Sequence, residues 1–310
     1  MKKIWLNFSD KTKGYFLTLV SVLAMSNVFI FSKAALQELS LPQFGFYWFL
    51  TGLILSLLLV MFQNPIHILK KFTYRDYLML LLFGIIEIAS TTFFFKAIRS
   101  MPNPGVVAFM GNLSPVFVLI LGFFILKERF NRWEFLGILI TLSAAFLLSY
   151  NPKWIKWDEI FVDGSMYVLI FTSLFAISSI LMKLNVVKYS PVLLTINRVF
   201  YLFIFSFIMM KWQGLSFEIS KTALKNILIG SFLGPFLTVI TGLYAIKYIE
   251  VSRKSILSST KGLFVLVGSY FYFKKVPTGL QVIGGILSII GVILIISGKY
   301  LSSREKKKLQ

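Results

Sequence analysis

Residues 112–144 read NLSPVFVLILGFFILKERFNRWEFLGILITLSA, two strongly apolar stretches joined by a short charged segment. A helix that crosses a hydrocarbon core of about 30 Å needs roughly 20 apolar residues, and stretches of that length recur along the whole chain. These stretches are continuous and do not alternate between apolar and polar residues, which excludes a β-barrel. The segment therefore predicts two membrane-spanning helices joined on one side of a bilayer.

The composition of the whole chain agrees with a polytopic helical membrane protein. Of its 310 residues 57% are hydrophobic, and the mean hydropathy is +0.81. The net charge of +20 lies mostly in short segments between apolar stretches, so we expect contact with lipid and no binding of nucleic acid. The absence of cysteine and the single histidine, His67, exclude thiolate zinc sites and histidine-based redox centres, so we expect no metal and no cofactor.

Ten apolar spans are predicted, with charged or proline-containing gaps between them. The first span is too long for the core of a signal peptide, so we interpret it as an uncleaved helix. Lysine and arginine are twice as frequent in the gaps on the side of both termini as in the others, which predicts cytoplasmic termini in a bacterial cell membrane; Lys254 is counted among them. The spans cover residues 14–35, 43–62, 76–97, 104–126, 132–150, 165–187, 192–212, 225–247, 252–273 and 279–298.

An internal repeat divides the ten spans into two groups of five. Residues 97–149 align without a gap on 245–297, and residues 14–62 align on 164–212. We therefore predict a first repeat over 1–152 and a second over 153–310. Because five is an odd number, the second repeat enters the membrane from the opposite side. Inverted repeats of this kind are typical of secondary transporters, whose substrate sites lie near the membrane midplane between the repeats.

The stretch at 112–144 resembles the EamA pattern of the drug/metabolite transporter superfamily, through Pro115, Glu128 followed by Arg129, and Gly137. VPTGLQVIGGILSIIGVILI at 276–295 is similar to the closing pattern of a second EamA repeat, and INRVF at 196–200 resembles a family motif that contains an arginine, here Arg198. The resemblance covers nearly the whole chain. It implies ten helices in two EamA repeats around a central cavity, and activities such as export of amino acids, other metabolites or drugs, or movement of nucleotide sugars or lipid-linked sugars.

Four positions depart from the family pattern. Trp48 replaces the arginine of the first repeat, Val276 replaces a glutamate, and Leu263 replaces the proline that corresponds to Pro115. Lys261, at the position that corresponds to Leu113, is not part of the general pattern. These departures concern the substrate class and the coupling ion more than the fold.

Two charged residues near the middle of apolar spans are the first candidates for a binding or coupling site. A lysine at a helix centre costs roughly 2.5–3.5 kcal/mol on insertion scales, so Lys261 must face protein or a water-filled cavity. Glu87 lies about ten residues into span 3, and Lys261 equally far into span 9, so both are roughly 15 Å deep. We expect them to face one cavity. Lys261 then binds an anionic substrate group, takes part in proton coupling or serves as a structural charge, while Glu87 either pairs with Lys261 or carries a coupling proton.

Other polar residues near mid-span complete the candidate set. Arg198 suits a carboxylate or a phosphate, although a structural role between the repeats is the preferred interpretation. Side chains that donate to substrate and side chains that only join helices have the same appearance in a sequence. The remaining candidates for substrate contact are Asn27, Asn112, Ser178, Asn197 and Ser258, and the candidates for helix bending are Pro115 and Pro235.

These features predict a secondary transporter that moves a small polar metabolite by alternating access. Export of an amino acid or a similar zwitterion is favoured, since a lysine, a glutamate and amides suit a molecule with both charges. No Walker motif is present, so the energy is expected from a gradient of protons, of another ion or of the substrate. An enzyme is not expected, because no nucleophile or metal constellation stands out. A transporter or flippase for nucleotide sugars or lipid-linked sugars, and a non-transporting membrane subunit, remain alternatives.

Overall fold

The computed structural model describes residues 8–63, 72–100, 107, 110–149, 164–264 and 278–308, and all regular secondary structure in these ranges is helical. Seven helices come first: α1 (Asp10–Glu38), α2 (Leu41–Gln63), α3 (Tyr74–Ser100), α4 (Leu113–Ile125), α5 (Arg132–Ser149), α6 (Gly164–Tyr189) and α7 (Pro191–Trp212). They are followed by α8 (Lys221–Ser231), a π-helix (Phe232–Thr238), α9 (Val239–Tyr248), α10 (Val251–Ser258) and α11 (Gly279–Lys308).

Six helical segments in the described ranges are long and apolar enough to cross a membrane. They correspond to the predicted spans 2, 3, 6, 7, 8 and 10, and the apolar helix α4 is shorter. The total of ten spans stays a prediction, because the helices at spans 1, 4 and 5 are not among these six segments and span 9 continues into residues 265–277, outside the described residues. The predicted boundary between the repeats, at residues 152 and 153, also lies outside them. The six segments are Leu41–Leu59, Tyr74–Ala97, Gly164–Tyr189, Pro191–Trp212, Lys221–Tyr248 and Gly279–Gly298.

The helices of the first half pack mainly against helices of the second half. The principal pairs are α5 with α11, α2 with α7, α3 with α6, α1 with α8 and α9, and α4 with α10. If each span of the first half is replaced by the equivalent span of the second half, and the reverse, the same set of pairs results. Two equivalent halves related by a two-fold axis produce such a pattern. The interface between the halves is therefore the centre of the molecule.

Small residues of α5 and α11 bring the backbones of these two helices close together. A Cβ atom added at Gly137 would lie 2.8 Å from the carbonyl oxygen of Gly291, and one added at Gly291 would lie 2.3 Å from Thr141 Oγ1. Small residues let membrane helices approach closely enough for extensive van der Waals contact. The glycine that the sequence singles out at position 137 therefore joins the two halves.

The fourth span of each half is interrupted at an equivalent place. A turn at Asn112 precedes α4, and a turn at Ser259 and Thr260 follows α10 before helix resumes at Lys261. The repeat alignment places Asn112 opposite Thr260. Asn112 and Ser259 keep right-handed helical dihedral angles, so each turn is a local break in the helix. Discontinuous helices mark the binding sites of many transporters.

The two prolines that were predicted to bend helices occupy different settings. Pro115 is the third residue of α4, where the first-turn N–H groups have no partner within the helix and a proline is tolerated. The predicted bending at Pro115 stays a prediction. Pro235 lies within the π-helix, and a Cβ atom added at Gly52 of α2 would meet its ring at 3.0 Å.

Buried charges fix the start of α10. Glu128, after α4, accepts hydrogen bonds from the backbone N–H groups of Val251 at 2.9 Å and Ser252 at 3.2 Å. Arg253 donates to Glu134 Oε1 of α5 at 2.8 Å, and both side chains are almost completely buried. These contacts set the position and direction of the helix that carries Lys254, Ser258 and then Lys261.

Candidate functional site

A cavity of about 330 Å³ lies between the two halves. Its wall comes from α1–α4, α6, α7, the π-helix, α9 and α10, whereas α5 and α11 do not contribute. Aromatic rings form much of the apolar wall: Trp48, Phe49, Phe94, Phe95 and Phe175. The charged lining residues are Glu87, Arg198, Lys254 and Lys261. An apolar cavity of this size with a few polar groups is the usual form of a small-molecule site.

Glu87 is held on both carboxylate oxygens by residues of the second half. Oε1 accepts a hydrogen bond from Ser178 Oγ at 2.5 Å, and Oε2 lies 2.5 Å from Arg198 Nε. The Glu87 side chain is 6% exposed and the Arg198 side chain 18% exposed, so water screens this ion pair weakly. The arginine therefore neutralises the carboxylate at the wall of the cavity.

Glu87 and Lys261 line the same cavity, but they do not pair with each other in the structure. Similar depth in the membrane does not determine which neighbour a side chain meets, and Arg198 reaches the carboxylate from the adjacent helix α7. Within the described residues no carboxylate lies within ion-pair distance of Lys261 Nζ. The sequence-based hypothesis of a direct Glu87–Lys261 pair is therefore corrected to a Glu87–Arg198 pair.

Lys254 is a cavity residue that the sequence analysis missed. Lys254, Ser258 and Lys261 follow at intervals of four and three residues, so they share one side of the helix, and all three line the cavity. A Cβ atom added at Gly242 would lie 3.4 Å from both Lys254 Nζ and Ser21 Oγ, which places the ammonium group beside α9 and α1. The seven-residue spacing between Lys254 and Lys261 was the signal in the sequence that could have identified it. Because Lys254 lies near the end of a span, it was assigned as a charge that flanks the membrane.

The hydroxyl groups around Lys261 are partly committed to their own helix. Ser258 Oγ donates to the carbonyl oxygen of Lys254 at 2.8 Å, and Thr260 Oγ1 donates to that of Leu257 at 2.7 Å. Ser26 of α1 reaches the Lys261 carbonyl oxygen at 3.3 Å. Ser258 lines the cavity, while Ser259 and Thr260 are buried at the turn. Hydroxyl groups therefore supply hydrogen bonds to the backbone carbonyl groups around the turn, while the Lys261 side chain reaches the cavity.

Three predicted amide residues lie away from the cavity wall. Asn27 is exposed on α1 and donates to the carbonyl oxygen of Leu23 at 3.0 Å, within its own helix. Asn112 is buried and donates to the Ala145 carbonyl oxygen at 3.0 Å, and Asn197 donates to that of Leu80 at 3.0 Å. The last two contacts join neighbouring helices. Ser178, Ser258, Pro115 and Pro235 do line the cavity.

Comparison with known proteins agrees with this architecture. "Uncharacterized transporter sll1164" of Synechocystis sp. is 24% identical over 268 residues, which cover 82% of this chain and 75% of that protein. A solved structure titled "Crystal structure of protein" superposes with a TM-score of 0.77 over 94% of this chain and 98% of its own, at 13% identity, so it shares the fold.

The family assignment rests on the length of the match to a family model. The model of the EamA-like transporter family matches residues 12–150 and 163–297, which together cover most of the chain. Both matched ranges contribute residues to the cavity, among them Glu87 from the first and Lys261 from the second. The chain belongs to the EamA-like transporter family.

Proposed function

We propose that this membrane transporter is a secondary carrier that binds a small, polar, carboxylate-bearing metabolite in the central cavity and moves it by alternating access. The observation that carries the proposal is the cavity itself, which both halves line and which contains four charged side chains. Charged residues at membrane depth are costly, and they usually mark the path of a substrate or an ion.

The residue chemistry supports an anionic group on the substrate. Glu87 is occupied by Arg198 and Ser178, whereas Lys254 and Lys261 present ammonium groups to the cavity. An amino acid, the substrate class that the sequence favours, supplies a carboxylate for these groups and fits the size of the cavity. Export from the cytoplasm, with both termini on the cytoplasmic side, remains the proposed direction.

The helix interruptions and the symmetric packing support a rocking mechanism. The turns at Asn112 and at Ser259–Thr260 lie at equivalent points of two halves that meet across the cavity. Movement of one half against the other then exposes the cavity to each side in turn. Glu87 is the candidate carrier of a coupling proton, because protonation removes its charge and releases Arg198.

Uptake into proteoliposomes tests the proposal. The purified chain is reconstituted, and entry of labelled leucine, glutamate, succinate, glycerol 3-phosphate and uridine diphosphate glucose is measured with and without an imposed proton gradient. Saturable uptake of at least one small carboxylate solute, absent from protein-free vesicles, is expected. Uptake of the nucleotide sugar alone would favour the alternative substrate class, and no saturable uptake of any solute would contradict the proposal.

A further inference from the structure

Two lysines on one side of α10 and its continuation face the central cavity without a carboxylate partner. Lys254 and Lys261 are seven residues apart, which corresponds to about 10 Å along a helix axis. Both line the cavity together with Ser258 between them. Within the described chain, neither ammonium group has an ion-pair partner or a hydrogen-bond acceptor.

Other shielded cations of the second half have partners. Arg198 is paired with Glu87, and Arg253 is paired with both Glu134 and Glu250. Lys183 donates to the carbonyl oxygens of Ile246 at 2.5 Å and Ile249 at 2.8 Å. In the fold, the positive charges that hold helices together are therefore paired with carboxylates or carbonyl oxygens. Among the shielded cations in the described part of the second half, the two unmatched ammonium groups lie on the cavity wall.

Among the lining residues that the structure describes, the charge balance of the cavity is positive by two. Glu87 offsets Arg198, so Lys254 and Lys261 remain uncompensated when protonated. The Lys254 ammonium group also experiences repulsion from Lys261 and Arg198. Like charges in a weakly screened cavity repel, and a ligand with two anionic groups removes this repulsion by offsetting both. A neutral zwitterion offsets one lysine and brings a further positive charge into the cavity.

We infer that the transported metabolite carries two anionic groups, one for Lys254 and one for Lys261, as in a small dicarboxylate, an acidic amino acid or a phosphate ester. This inference rests on the proposed function and narrows its substrate class. The Lys254 ammonium group lies beside Gly242 and Ser21, since a Cβ atom added at Gly242 would be 3.4 Å from both Lys254 Nζ and Ser21 Oγ. Ser21 Oγ itself donates to the Thr238 carbonyl oxygen at 2.9 Å. Ser258 lines the cavity between the two lysines, and its hydroxyl hydrogen is donated to the Lys254 carbonyl oxygen.

Thermal stabilisation and counterflow of the purified, reconstituted chain test the inference. The probes are succinate, glutamate and glycerol 3-phosphate, with leucine and lysine as comparison solutes of zero and positive net charge. We expect at least one dianionic or acidic probe to raise the unfolding temperature of the protein. The same probe should inhibit uptake of the labelled, transported solute at a lower concentration than leucine does. Glycerol 3-phosphate and succinate distinguish a phosphate-bearing substrate from a dicarboxylate.

Single variants show whether both lysines bind the probe. Lys254→Gln and Lys261→Gln should each weaken competition by the preferred dianion by about tenfold or more, because each removes one charged hydrogen bond. Competition by leucine should change much less, because its single carboxylate can bind the lysine that remains. Lys211→Gln is the matched control, because Lys211 is exposed at the end of α7 and does not line the cavity. Lys254→Arg should keep part of the affinity for the dianion, which separates loss of charge from loss of folding.

Three outcomes overturn the inference. Saturable uptake of leucine or lysine, with no binding of any anionic probe, contradicts it and leaves the proposed function standing. Binding of a dianion that is unaffected in both folded glutamine variants contradicts the assignment of the two lysines. Failure of every probe to bind or to enter the vesicles counts against the proposed function and the inference together.

Discussion

Arg198 Nε lies 2.5 Å from Glu87 Oε2, and this ion pair joins α7 of the second half to α3 of the first at the wall of the central cavity. Ser178 of α6 holds the other carboxylate oxygen, so three helices converge on one acidic side chain. The pair neutralises two charges that are costly at membrane depth.

Loss of one member of the Glu87–Arg198 pair should destabilise the protein more than loss of both. Glu87→Gln leaves a third uncompensated cation beside Lys254 and Lys261, and removal of one partner of a buried pair commonly costs about 3–5 kcal/mol. The double variant with Arg198→Gln should recover part of this loss. Thermal unfolding of the purified variants measures the effect. A loss in the double variant equal to the sum of the two single losses would show that the two side chains do not interact.

Replacement of Lys261 by methionine should stabilise the protein while it impairs transport. The variant removes a shielded charge that has no carboxylate partner in the described chain, so an increase of about 1–3 kcal/mol in the free energy of unfolding is expected. Unfolding temperature and solute uptake are measured on the same preparation. Lys211→Met, at an exposed site, should change neither quantity. A less stable Lys261→Met protein would indicate that the lysine serves the fold rather than the substrate.

Glu128→Gln should loosen the start of α10. The carboxylate accepts two backbone N–H groups at the N-terminus of this helix, and a negative charge is favourable there. Loss of the charge is expected to cost about 1–2 kcal/mol. The unfolding temperature should fall, and Glu218→Gln, at an exposed site in the loop before α8, supplies the control. An unchanged unfolding temperature would mean that the capping contact contributes little.

Gly137→Ala should separate α5 from α11. The added methyl group would lie 2.8 Å from the Gly291 carbonyl oxygen and 2.9 Å from the Ile295 backbone nitrogen, and both atoms belong to backbone that cannot move aside easily. Overpacking of this kind typically costs about 1–3 kcal/mol. Gly279→Ala is the matched control, because no atom lies within 4 Å of the added group. Similar unfolding temperatures for the two variants would contradict the close packing.

The fold class could be predicted because length and hydropathy determine membrane helices almost directly. Rotation of each helix about its axis was harder to predict. Asn27 and Glu87 both lie near mid-span, yet Asn27 is exposed on α1 and Glu87 is buried at the cavity. Highly apolar helices show little difference between a lipid-facing and a protein-facing side, since both surroundings are apolar. The depth of a residue in the membrane could therefore be predicted from the sequence, whereas the direction in which its side of the helix faces could not.

The members of the site were predicted in part for the same reason. Lys261 and Glu87 stand out because a charge in a long apolar stretch is rare. Lys254 lies close to Arg253 and Glu250 at the start of its span, so it looked like a flanking charge. Only the helical spacing of four and three residues to Ser258 and Lys261 relates it to the cavity. The partner of Glu87 depends on the packing of α3 against α7, which no local pattern specifies.

Thiol accessibility tests the central claim, a substrate cavity between the halves that opens to each side in turn. The chain contains no cysteine, so Ser258→Cys in the cavity and Asn27→Cys on the exposed side of α1 are each single labelling sites. Reaction with a membrane-impermeant maleimide is measured from each side of the membrane, with and without the best-transported solute. If the cavity opens to each side in turn, Ser258→Cys reacts from both sides and is protected by solute, whereas Asn27→Cys reacts from neither. A Ser258→Cys variant that is not labelled, or whose labelling is the same with and without solute, would contradict a substrate cavity of this kind.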